Sequence, residues 1–176
     1  MKETEKIEIM HFSQEGYLED GKNVYETGKK MIELADKVAD EGYDAVFLMG
    51  VGGTWDELMQ LEYLMNKFGD RDLEVYLIHA AEWNAMGHKR MTEKSVVITA
   101  SESGTTPEVL EAVKKMKEKG IRVYAMTKPE GPIGQAVGAE NCVKMASDHG
   151  NGGCEMGYSL ADCFGLRLLN RRGCFP

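Results

Sequence analysis

Five short apolar runs, separated by stretches of helical pattern, constrain this chain more than any other feature of its sequence. Residues 45–49, 74–78, 95–99, 121–126 and 141–145 are short and mostly apolar, the signature of buried strands. Between and after them, residues 23–40, 55–68, 106–119, a short piece at 133–137 and 155–170 read as helices. Strands that alternate with helices are joined by crossovers and therefore run parallel. Short connections and the right-handed crossover rule leave few arrangements. The expected fold is α/β, a three-layer α/β/α sandwich around a five-stranded parallel sheet of flavodoxin-like topology. Residues 1–22 are expected to form an N-terminal helix or arm against a neighbour, and 23–176 a single domain. The sequence contains no internal repeat and no low-complexity linker.

Composition narrows the function classes. With 43% hydrophobic residues among 176, one ordinary core can form without disulfides. Cys142, Cys154, Cys163 and Cys174 show neither Cys-x-x-Cys spacing nor clustering with histidine, so reduced thiols and no metal site are expected. The first residues lack an apolar signal core, and no run approaches the roughly 20 apolar residues that span a bilayer. A cytoplasmic protein without a membrane partner is the expectation. A net charge of −8 argues against nucleic acid, whose phosphate backbone selects basic surfaces.

In an open parallel sheet, ligands gather at the carboxyl ends of the strands. After the third run comes Ser101-Glu102-Ser103-Gly104-Thr105-Thr106-Pro107. Gly104 permits a sharp turn, Thr106 has the character of an N-cap, and Pro107 suits the first helical position. The first amides of the following helix lack internal partners and carry partial positive charge. An anion there also meets the hydroxyls of Ser101, Ser103, Thr105 and Thr106. Such a turn is a phosphate cradle. After the first run, Gly52 and Gly53 let the backbone approach a ligand and Thr54 adds a hydroxyl, although glycines here equally serve tight strand-to-helix packing. The segments from His79 and from Ser147 to Glu155 put further polar groups on the same edge.

Taken in order, Gly-x-Gly-Gly-Thr at 50–54, the Ser-x-Ser-Gly-x-Thr turn and Gly-Cys-Glu-Met-Gly-Tyr-Ser at 153–159 resemble the sugar isomerase (SIS) domain of phosphosugar isomerases and phosphosugar-binding regulators. Within that family, the nearest likeness is to the first of two such domains in glucosamine-6-phosphate synthase and in the fructosamine-6-phosphate deglycases. The resemblance implies that Ser101, Ser103, Thr106 and Thr54 hold the phosphate of a sugar or amino sugar. It further implies that Gly52, Gly53, Glu102, Gly104, Thr105 and Tyr158 line the sugar. Glu102 departs from the neutral residue expected between the serines, and like-charge repulsion should turn its side chain toward sugar hydroxyls or solvent.

The resemblance also implies aldose–ketose isomerisation or deglycation, by proton transfer beside a carbonyl and without cofactor. The alternative it leaves open is a phosphosugar-binding regulatory module without turnover. In the two-domain relatives the catalytic acid and histidine lie largely in a second domain, which this sequence lacks. It reads either as the first half of such an enzyme or as a single-domain subunit. Glu155, opening the last helix, and His149, just before it, are the remaining catalytic candidates. Glu62 sits where phosphoheptose isomerases carry a glutamate base but reads first as a helix-surface residue. His79 and His88 have less context, and His11 has none. The apolar last helix leaves surface to cover, so a homodimer or higher oligomer is expected.

Overall fold

The apolar runs pair as parallel strands in a computed structural model that describes residues 14–145 and 153–174, the side chains of 153–156 excepted. The strands are β1 (Ala45–Gly50), β2 (Glu74–His79), β3 (Val96–Ser101), β4 (Arg122–Thr127) and the two-residue β5 (Cys142–Val143), in the order β2-β1-β3-β4-β5. This is the expected α/β topology. The helices are α1 (Gln14–Glu41), α2 (Gly53–Phe68), α3 (Ala80–Met86), α4 (Pro107–Glu118), α5 (Pro132–Val137) and α6 (Gly153–Arg171). Because side chains alternate along a strand, each central strand feeds two cores. Val46, Leu48, Val96, Ile98, Tyr124 and Met126 face the layer of α1, α2 and α6. Phe47, Met49, Val97, Val123 and Ala125 face α3, α4 and α5.

Packing of α6 against α2 depends on small residues. Gly157, Ala161 and Gly165 recur every four residues on α6, opposite Glu57, Leu61 and Met65 at the same spacing on α2. A Cβ at Gly165 would lie 2.1 Å from Leu61 Cδ1. One at Gly157 would lie 2.0 Å from Glu57 Oε2, so the missing side chain is what admits the Glu57 carboxylate. Leu160, Phe164, Leu168 and Leu169 of the same helix are fully buried. Burying each contributes about 1.5–3 kcal/mol by apolar transfer.

The far end of this layer is tied by ion pairs. Arg167 and Arg171 both reach Asp36 on α1, and Arg172 reaches Asp70. The side-chain hydrogen bond from Arg172 holds the Asp70 carboxyl well below the usual carboxylate range, against an upward push from burial. Asp36 is lowered for the same reason by Arg167 and Arg171.

Three readings of the sequence need correction. Helix α1 runs unbroken from Gln14 to Glu41, so helix is already present before residue 23. The segment after β2 is a helix, α3, started by the His79 side chain, whose Nδ1 accepts from Ala81 N at 3.3 Å. The apolar face of α6 is not left open but covered within the chain by α1 and α2. Among the described residues, no helix is long and apolar enough to cross a membrane.

Candidate functional site

Strand order reverses between β1 and β3, the neighbours from which the chain departs in opposite directions. The crevice at such a point lies at the carboxyl ends of the two strands. Here it is flanked by the glycine turn of residues 50–54 and the serine turn of residues 101–106. Beneath them the strands are locked, for Thr99 Oγ1 donates to Met49 O at 2.9 Å across the pair.

The serine turn is braced from several directions. Gly104 adopts φ +71°, and its N–H donates to Ser101 O at 3.2 Å. Thr127 at the end of β4 donates its buried hydroxyl to the same carbonyl at 2.6 Å. Ile133 N, in the first turn of α5, donates to Gly104 O at 3.1 Å. Ser103 Oγ accepts from Thr105 N at 3.2 Å. A backbone held this way is preorganised and loses little freedom when a guest arrives.

Thr106 occupies the N-cap of α4 with Pro107 after it, as the sequence indicates, but its hydroxyl does not cap the helix. It sits 2.9 Å from the hydroxyl of Ser101, which is 2% exposed. The short strand-to-helix turn brings the two side chains together and leaves the first amides of α4 uncapped by any side chain. Those amides are positively polarised and face the same edge as the hydroxyls. Glu102, Ser103 and Thr105 are exposed on the rim.

The glycine turn mixes both roles foreseen for it. A Cβ at Gly50 would meet Trp55 N at 2.6 Å, so that glycine serves strand-to-helix packing. Gly52 (φ +58°) and Gly53 are exposed, with no atom within 4 Å of a built Cβ, which leaves open space toward the crevice. Thr54 is less free than expected. Its hydroxyl accepts from Val51 N at 3.2 Å and donates to Val51 O at 3.1 Å, knitting the turn.

Other candidates separate clearly. Glu62 accepts from Asn66 at 2.8 Å on α2, and His88 packs edge-on against Phe47 at 5.0 Å. His79 caps α3. Tyr158 is half-buried in the second turn of α6. His149, His11 and the side chain of Glu155 lie outside the described residues. Burial pushes the Cys142 thiol up to about 11, which keeps it protonated and inert as a nucleophile. Among the described residues, no group of three or more His, Cys, Asp or Glu side chains is arranged to hold a metal ion.

Two residues escaped sequence reasoning. Glu57 is 2% exposed in α2, the helix that follows the glycine turn, against Gly157 of α6. Only the spacing of small residues on α6, matched to positions 57, 61 and 65, hinted at it. Lys128 follows β4, and its Cβ lies 3.4 Å from where a Cβ on Gly104 would stand, placing a cationic residue beside the serine turn.

No protein-family model matches the chain. Over 93 residues, 52% of this chain and 28% of the relative, it is 33% identical to the fructosamine deglycase FrlB of Bacillus subtilis (strain 168). Over 167 residues, 94% of this chain and 27% of the relative, it is 23% identical to the glutamine–fructose-6-phosphate aminotransferase (isomerizing) of Pyrococcus horikoshii. Both are of the kinds to which the motifs pointed. The Vibrio vulnificus NanR protein complexed with ManNAc-6P superimposes with a TM-score of 0.65 at 18% identity, over 83% of this chain and 57% of that one. The chain carries the SIS fold. It spans about a quarter of the length of the two curated relatives it matches. Within the SIS fold, the serine turn and the glycine turn described above are the two loops that meet at the switch point.

Proposed function

We propose that this chain binds a phosphorylated sugar or amino sugar in the crevice between β1 and β3. The phosphate rests on the serine turn, and the sugar extends over Gly52 and Gly53 toward Tyr158. One observation carries the reading: the hydroxyls of Ser101 and Thr106 converge 2.9 Å apart beside the uncapped first turn of α4. A phosphate dianion takes donors of just this kind, oriented before it arrives. Ser103, Thr105 and Lys128 on the rim complete the anion site, and Thr54 acts by holding the glycine turn. Glu102 remains directed to sugar hydroxyls or solvent.

The proposed chemistry is proton transfer beside the sugar carbonyl. A base takes the proton from the carbon next to the carbonyl, giving an enediol. Returning it to the former carbonyl carbon interconverts aldose and ketose; with a fructosamine the same shift leaves an imine on the terminal carbon, and water adds to it and releases the free amine and the aldose phosphate, completing a deglycation. Glu155 is proposed as the base and His149 as the group moving protons between oxygens. The NanR likeness supports a second reading, in which the same crevice binds without turnover. In either case we place the protein in the cytoplasm as a homodimer or larger assembly, with the start of α1 serving as its arm.

Thermal stabilisation by fructose 6-phosphate and glucosamine 6-phosphate tests the site. Ser103→Ala removes one charge-assisted hydrogen bond, about 1.5–3 kcal/mol, so affinity should fall roughly 10- to 150-fold. Wild-type affinity in the variant would refute the cradle. Deuterium uptake from solvent at the carbon beside the carbonyl then separates enzyme from binder. Glu155→Gln should abolish uptake while sparing binding, and unchanged uptake would remove Glu155 from the mechanism.

A further inference from the structure

Gly21 lies in mid-helix on α1, exposed, and a Cβ built there meets no atom within 4 Å. Glycine inside a helix forfeits stability relative to alanine. Nothing in the packing around it requires the glycine here, in contrast to Gly28, where a Cβ would come 3.2 Å from Cys163 Sγ. Around Gly21 runs a groove of about 730 Å³ bordered by Tyr17, Leu18, Lys22, Tyr25 and Glu26. Tyr25 stands on its rim, 70% exposed. Lys29 Nζ lies 4.7 Å from the ring centroid and pairs with Glu26 at 3.0 Å, which steadies the ring in its projecting position. Leu18, Tyr25 and Ile32, all exposed, recur every seven residues, the spacing of a seam between two helices. A notch and a knob of matching character therefore share one surface.

We propose that a second copy of this chain docks on this surface, with two α1 helices antiparallel about a two-fold axis near residue 23. Residue 21 then lies opposite residue 25, and each Tyr25 ring enters the notch over Gly21 of the other copy. Such an isologous contact closes on itself as a dimer. The rim charges agree, because Lys22 comes within two residues, about 3 Å along the axis, of the partner's Glu26, a gap that both side chains can span. The inference deepens the self-association proposed above by naming its surface and its anchor residue.

Sedimentation equilibrium of the full chain from about 1 to 100 μM tests both levels. The wild type should be dimeric, and Tyr25→Ser and Gly21→Leu should each weaken the dimer about tenfold or more, as loss of an anchor does. Gly21→Ala should weaken association while raising the melting temperature at the lowest concentration, a divergence that general unfolding does not produce. Lys22→Glu should weaken the dimer and Lys22→Glu with Glu26→Lys should restore it. Tyr63→Ser, at an exposed tyrosine on α2, should change nothing. A wild type that stays monomeric at the highest concentration overturns the self-association and the surface together. A dimer indifferent to the Gly21, Tyr25 and Lys22 variants, or equally lost in Tyr63→Ser, leaves self-association standing and overturns the surface.

Discussion

Replacing Gly104 with alanine asks whether β4 braces the serine turn from below. At φ +71° an L-residue is strained by about 1–2 kcal/mol. The added Cβ would also stand 3.2 Å from Thr127 Oγ1 and 3.4 Å from Lys128 Cβ. Thr127 is fully buried and its hydroxyl is committed to Ser101 O at 2.6 Å. Displacing that hydroxyl leaves a buried polar group without its partner, a loss of about 1–3 kcal/mol. With partial relaxation, the variant should lose about 2–4 kcal/mol in urea unfolding at an unchanged m value. Gly42→Ala is the control, since its φ of +73° is close to that of Gly104, with no atom within 4 Å of the new Cβ. It should lose only the dihedral part, about 1–2 kcal/mol. Fructose 6-phosphate binding measured in parallel should fall further in Gly104→Ala. Equal losses of stability at the two glycines would refute the argument that Thr127 supports the turn.

Two further outcomes follow from packing and charge. Gly165→Ala should destabilise by about 1–3 kcal/mol despite alanine's better helix propensity, because its Cβ would lie 2.1 Å from Leu61 Cδ1. Combined with Leu61→Ala it should be partly rescued, and strictly additive losses in a double-mutant cycle would refute direct contact. In acid, Asp36 and Asp70 have folded-state pKa values lowered by their arginine partners, so their contribution is present above about pH 4 and lost as pH falls through the folded values. Melting temperature should therefore drop on acidification, less steeply in Asp70→Asn. An unchanged slope would show that the Arg172 pair contributes nothing.

Much of this architecture was legible because each strand is a continuous apolar run whose ends are marked by glycine or polar turns. The limits of β1 and β2 fall within one residue of the pattern, although only β1 is buried throughout and β2, at the sheet edge, stays partly exposed at four of its six positions. Helix α3 was not legible, because two turns of Ala80-Ala81-Glu82-Trp83-Asn84-Ala85-Met86 show too little periodicity, and its start depends on a histidine cap visible only in three dimensions. At the candidate site, residue types and their order were readable, but hydroxyl partners were not. Thr106 bonds to Ser101 instead of capping α4, and Thr54 turns back on Val51, because a short polar side chain takes the nearest partner geometry offers. Glu57 was hidden for the converse reason: a helix glutamate reads as solvated unless a glycine on another helix makes room for it.

The helix synthesised last in this fold, α6, occupies the middle of its layer, with α1 on one flank and α2 on the other. During translation the sheet and both flanking helices emerge with a trench between them, floored by Val46, Ile98 and Met126. Nascent chains stalled before residue 153 would present that greasy furrow to solvent, making them strong clients for chaperones and poor survivors against proteases.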